Sequence, residues 1–178
     1  MTFRSSRSEN SSPVFRPNHR TKVFALIAFL VLCAIISSVS ATVTATSVSD
    51  WYPTLSKPFF TPPDWLFGPV WTVIYALIAI SGWRVWCKTG FLAPTGGRQV
   101  FIVYGAQLVL NLFWSFLFFG AQSPLAGMVD IVPLLVLIIA NILLFAPIDR
   151  IAAWMLAPYA FWVGYATLLN SAIWWMNR

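Results

Sequence analysis

The chain is poor in charge. Only 9% of its 178 residues are charged, five acidic and eleven basic, against about a quarter in a soluble domain. That scarcity excludes an ordinary water-soluble globule. Histidine is almost missing: His19, near the start, is the only one. A serine–histidine–acid set cannot be assembled around it, and no histidine-based metal or haem-ligand site is available in the apolar part of the chain. Cysteine is scarce as well. Cys33 and Cys87 fall in or at the end of hydrophobic runs, and they make neither a metal knuckle nor a disulfide framework. A carboxylate pair for acid–base work is also lacking, as are a P-loop and a dinucleotide fingerprint. The formal charge of +6 is scattered over termini and loops and forms no nucleic-acid footprint. No nucleic acid is expected as a partner.

What is present is apolar: 59% of the residues are hydrophobic. About 20 apolar residues cross a bilayer as a helix, and the sequence offers several such runs in succession. Backbone satisfaction in lipid permits only helices or closed barrels, and these runs are too long and too weakly alternating for barrel strands. The expected fold is all-α, an integral membrane bundle of five transmembrane helices with the lipid bilayer as its solvent. The helices are placed at about residues 21–46, 64–87, 98–119, 125–145 and 151–175. Short turns after the third and fourth force antiparallel neighbours. Residues 1–20, rich in Ser, Arg, Asn and Pro, read as a disordered basic tail, which with the first helix makes a retained signal anchor. Residues 21–178 form one domain. The small residues Ser37, Ser38, Ser40, Ala41 and Thr42 suit close helix packing in lipid.

Basic residues report orientation. One side collects Arg4, Arg7, Arg16, Arg20, Lys22, Arg84, Lys88, Arg98 and Arg150; the other holds Lys57 and Arg178. Nine against two is a positive-inside bias. The N-terminus is therefore expected in the cytoplasm, with the first loop and the C-terminus on the opposite side. Inner and outer membranes both stay open.

Between the first two helices the chain reads WYPTLSKPFFTPPDWLFGPVWTVIY, residues 51–75. It carries Pro53, Pro58, Pro62, Pro63 and Pro69. Proline fixes φ, removes a donor and pushes the preceding residue out of the helical region. Residues 47–63 are therefore expected to form a stiff, mostly non-helical lid, rich in rings that suit the membrane–water boundary. Asp64 is a candidate cap for the second helix.

Polar and aromatic residues then mark inward faces. On the third helix Tyr104, Gln107, Asn111, Trp114 and Phe118 recur every three or four residues and share a face. Amides in hydrocarbon are costly unless partnered, so Gln107 and Asn111 either glue helices together or line a cavity beside Trp114. On the fifth helix Tyr159, Trp162, Ala166 and Leu169 form a similar face, with Asn170 beside it and Pro158 loosening the helix. Ala166, one turn beyond Trp162, leaves room beside the indole. That is the shape of a flat-ligand slot and also of ordinary knob-in-hole packing. The second helix adds Trp71 and Tyr75, and Trp51 heads the lid. Trp83, Trp86, Trp174 and Trp175 read as interfacial belt residues. Asp130 is either a functional intramembrane carboxylate or a shallow structural one.

These stretches carry a resemblance. The run at 51–75, YGAQLVLNLFWSFLFF on the third helix and LAPYAFWVGYATLLN on the fifth resemble the tryptophan-rich sensory protein family. It is also called the translocator protein or peripheral benzodiazepine receptor family. The resemblance implies a five-helix bundle, usually a homodimer, that binds porphyrin or haem. Animal members also take cholesterol and synthetic ligands. It places the ligand under the first loop, among the first, second, third and fifth helices, and assigns pocket roles to Asn111, Trp114 and Ser115. Trp71 and Trp162 match the paired tryptophans implicated in light- and oxygen-dependent porphyrin breakdown. They would be the catalytic residues if the chain is an enzyme.

The expected ligand-binding set is therefore Trp51, Trp71, Tyr75, Gln107, Asn111, Trp114, Ser115, Tyr159, Trp162 and Ala166. No cofactor is obligatory and no metal is expected; tetrapyrroles enter as ligands. Where animal members carry a sterol-recognition Tyr and Arg, this chain has Ser171 and Trp175, which weakens a sterol role. Three functions stay in view: a receptor or sensor in tetrapyrrole homeostasis or transport, a protoporphyrin-degrading enzyme, and a small-molecule or sterol transporter.

Overall fold

A computed structural model describes residues 15, 17–91 and 97–178. Helix α1 spans His19–Asp50. Its 32 residues reach about 48 Å at 1.5 Å per residue, more than a bilayer core requires. Asn18 caps it, the side-chain oxygen accepting from the Thr21 amide at 2.8 Å. A lid segment follows, with single 3₁₀ turns at Tyr52–Thr54 and Asp64–Leu66. Then come α2 (Phe67–Thr89), α3 (Gly97–Ser115) and α4 (Pro124–Phe145), with a wider π turn, Phe116–Gly120, closing α3. The last span divides into α5 (Arg150–Met155) and α6 (Ala157–Met176). Five segments are long and apolar enough to cross a membrane, and no strand occurs among the described residues. The all-α five-span expectation holds.

Most of the predicted tail lies outside the described residues. Two of its parts do not behave as a tail. His19 and Arg20 are already helical, and Phe15 stands edge-on to the Trp86 ring at 5.3 Å. Trp86 is therefore buried, not a belt residue. At its other end α1 runs four residues past the expected stop, so the lid begins at Trp51 rather than at 47. β-Branched and hydroxyl residues did not end the helix because their hydroxyls are satisfied on it. Thr42, Thr46 and Ser49 each donate to the carbonyl three residues back. Asp64 makes no side-chain cap; the 3₁₀ turn that it opens leads into α2 instead. The fifth helix breaks at Leu156, which leaves Pro158 in the first turn of α6, where its missing N–H is an orphan in any case.

The main neighbours are α1 with α2, α3 with α4, and α4 with α6. One end of the bundle is locked by polar contacts. Asp149 caps α5 through the Ala152 amide at 3.0 Å and lies 3.0 Å from both Arg84 and Lys88. Burial would raise its pKa, but the Ala152 amide and the two cations win and hold it below the ordinary value of 3.8. At the same end the Trp83 indole donates to the Lys22 carbonyl. The lid occupies the other end, where Asn177 clasps Ser56 by two hydrogen bonds of 2.9 Å.

Candidate functional site

The lid is held down along its length. Tyr52 is buried against Phe118 and Phe119 of the π turn, at ring distances of 6.4 and 5.8 Å. Burial, then the charge of Asp64 and the Tyr165 phenol, push Tyr52 up to about 12. Its neutral ring carries the Lys57 ammonium at 4.3 Å, a cation–π contact. Further along, the Tyr165 hydroxyl donates to the Phe60 carbonyl. The prolines supply stiffness, and the π turn and α6 supply the anchors.

Beneath the lid lies a cavity of about 370 Å³, within the range of small-molecule sites, roughly 300–1,000 Å³. One wall is α1, through Ser37, Ser40, Ala41, Thr44, Ala45 and Val48. The facing wall is Phe67, Gly68, Trp71, Thr72 and Tyr75 of α2, with Asn111, Trp114, Ser115 and Phe119 behind. Tyr52 and Asp64 close the lid end. Ala41, Ala45, Gly68 and Thr72 are exposed, so the cavity opens sideways between α1 and the start of α2.

A polar chain crosses its floor. The Tyr75 hydroxyl donates to the Asn111 side-chain oxygen, and the Asn111 amide donates to the Tyr159 hydroxyl at 3.0 Å. All three are buried, and the chain satisfies the Asn111 amide inside the bundle, as buried polar groups require. Trp114 donates to the Asn170 oxygen at 3.3 Å, which fixes that indole on the wall. Ser47, between the lining residues Ala45 and Val48, donates to the Phe119 carbonyl at 2.6 Å and pins α1 to the π turn.

The structure brings together five of the ten predicted residues: Trp71, Tyr75, Asn111, Trp114 and Ser115 all face this cavity. The other five lie off its wall. Tyr159 sits behind it, in contact with the lining residues Asn111 and Trp71. Trp51 packs edge-on against Phe118 at 5.7 Å. Gln107 is buried, yet neither amide atom has a hydrogen-bond partner among the described residues, so it is not hydrogen-bonded glue between helices. Ala166 borders a separate void of only about 20 Å³. Trp162 is screened by Phe67, whose ring stands edge-on to it at 5.8 Å.

The expected slot between Trp71 and Trp162 is thus replaced by a space between Trp71 and α1. Tyr159 packs against the far side of this wall, its ring 6.3 Å from that of Trp71. Asp130 is buried, with one carboxylate oxygen unpartnered among the described residues, and does not line the cavity.

The resemblance puts the first helix at the pocket, but no α1 side chain was in the expected set, and six of them form this wall. Its signal was there. Positions 37, 40, 41, 44, 45 and 48 repeat every three to four residues and are all small except Val48. That stripe reads equally as a close-packing seam, and only a partner that stays away turns it into a void.

The fold and this cavity define a multi-pass helical membrane protein with a ligand-sized space under an anchored extramembrane segment. Comparison with known proteins gives the family. The TspO/MBR family pattern matches residues 28–176. The tryptophan-rich protein TspO of Archaeoglobus fulgidus is 41% identical over 155 residues, covering 87% of this chain and 98% of the relative. The translocator protein of Homo sapiens is 32% identical over 133 residues, covering 72% and 75%. The tryptophan-rich sensory protein of Cereibacter sphaeroides is 29% identical over 142 residues, covering 80% and 86%. The chain belongs to the TspO/MBR family of membrane sensor and translocator proteins.

Proposed function

We propose that this protein binds a porphyrin or haem in the cavity between α1, α2 and α3 and acts as a membrane receptor in tetrapyrrole homeostasis or transport. The observation that carries the reading is the asymmetry of the cavity. One side presents small side chains and the other presents the Trp71 and Trp114 rings, with Tyr75 and Asn111 at the floor. A flat, largely apolar ring system stacks on the indoles while the α1 wall offers no bulk to exclude it. Hydroxyls of Ser37, Ser40, Thr44 and Thr72 supply polar partners at its edge. The sideways opening gives a membrane-dissolved ligand a route in, and it leaves room for substituents to extend beyond 370 Å³. The orientation that places the lid outside the cytoplasm follows the basic-residue bias and belongs to the same proposal.

The test is a titration of the purified protein with protoporphyrin and with haem, in the dark, followed by tryptophan fluorescence. Trp71→Phe is expected to lose most of the ligand-induced quenching and to weaken binding several-fold. Trp162→Phe, screened by Phe67, keeps the affinity of the parent. Equal behaviour of the two variants, or no saturable binding by the parent, overturns the assignment.

A further inference from the structure

A second cavity lies at the opposite end, outside the bundle, where α4 meets α5 and α6. It measures about 420 Å³ and is lined by Ile142, Ala146, Arg150, Ala153, Trp154 and Ala157. Residues 150, 153, 154 and 157 follow the i, i+3, i+4, i+7 spacing of one helical face. That face continues across the break at Leu156. It is hollow for a local reason. Three of its six lining residues are alanine, whose methyl groups leave the gap unfilled.

The groove has two chemically different ends. Ile142 and the alanines are apolar. Arg150 and Trp154 are exposed, the indole at 77%, one turn apart on the same face. An exposed Arg–Trp pair at the end of a membrane span matches the headgroup level, where indoles concentrate and basic side chains meet anionic lipid. The charge of Arg150 is unpaired among the described residues. Its neighbour Asp149 is taken by Arg84 and Lys88 at 3.0 Å each. Lys88 and Arg84 add positive charge to the same end. A free phosphate would not use the apolar trough, and an uncharged sterol would not use the guanidinium. An amphiphile with an anionic head uses both.

We propose that this groove is a binding site for an anionic phospholipid, its phosphate on Arg150, its glycerol region beside Trp154, and one acyl chain along Ala146, Ala153 and Ala157. The site is separate from the cavity under the lid and does not depend on what that cavity binds.

Native mass spectrometry of the full-length protein, released from micelles titrated with phosphatidylglycerol or phosphatidylcholine, tests it. The parent is expected to retain phosphatidylglycerol in preference, with one adduct dominant. Arg150→Gln should lower that retention about fivefold, the effect of one basic residue at a membrane surface. Arg98→Gln, an exposed cation at the same end, should leave it unchanged. Ala157→Leu, which fills the trough, should reduce retention of both lipids. If that variant does not fold, the two arginine variants decide alone. Equal retention of the two lipids by the parent, or equal losses in Arg150→Gln and Arg98→Gln, overturns the proposal.

Discussion

At the Gly82 end of the α1–α2 pair, an added β-carbon would stand 2.7 Å from the Tyr104 ring and 2.9 Å from Phe29. At the Gly68 end it would meet nothing within 4 Å. Both positions are glycine, on one helix, about four turns apart. The difference lies in what each glycine faces. Phe29 of α1 projects a ring into the notch at Gly82, and Tyr104 joins it from α3, its hydroxyl tied to the Ile78 carbonyl at 3.1 Å. Near Gly68 the arrangement is reversed: the ring, Trp71, is on α2, and α1 offers serine, alanine and threonine. Tyr52, Phe118 and Phe119 wedge the lid end of the bundle, so α1 does not collapse onto the indole. The same small residues that let helices touch in lipid leave a void when another element holds the helices apart.

Substitution at the two glycines should separate these ends most sharply. Gly82→Leu overpacks a buried contact, a change that costs about 1–3 kcal/mol or more. It is expected to lower the thermal midpoint in mild detergent by the largest margin of any variant here. Gly68→Leu should leave the midpoint near that of the parent and weaken porphyrin binding about tenfold, equivalent to ~1.4 kcal/mol. Similar midpoints for the two variants would remove the contrast.

Next in size is the floor of the open end. Asn111→Ala strands the Tyr75 and Tyr159 hydroxyls, and a buried unsatisfied polar group costs about 1–3 kcal/mol. Both stability and porphyrin affinity should fall, measured by thermal unfolding and fluorescence titration. Gln107→Leu on the same helix removes an amide that has no partner among the described residues. It should instead be neutral or stabilising, because it relieves a desolvated group.

A smaller effect is expected at the lid. Asn177→Ala removes the clasp on Ser56, worth about 1 kcal/mol. Faster proteolysis within 51–63 and a several-fold rise in the ligand dissociation rate would report it. The packed end supplies the smallest effect. The Asp149 pKa is lowered in the folded state, so its contribution is complete above the ordinary 3.8 and is lost as the pH falls through the folded value. Unfolding midpoints measured below pH 4 should drop for the parent and drop less for Asp149→Asn.

Much of the site was legible in the chain. The third-helix spacing puts Asn111, Trp114 and Ser115 beside the cavity, and the Trp71–Tyr75 step on α2 does the same. The residues that lie off the cavity share a cause. Trp162 and Ala166 do share a helical face with Tyr159, but periodicity does not say which aromatic of another helix arrives first. Phe67 takes that place. Gln107 shares that face one turn from Asn111, but it lies off the cavity wall and has no hydrogen-bond partner among the described residues. Phe15, inside a stretch that reads as disordered, found a tryptophan to rest on.

Composition and run length alone determined that this is a five-span helical membrane protein, because lipid leaves a backbone no other economical way to satisfy its polar groups. Proline spacing alone determined that the first loop is stiff and largely non-helical. The cavity itself was decided by tertiary structure. A void is a relation between surfaces on different helices, set by which side chain reaches a shared space first, and no single helix carries that information.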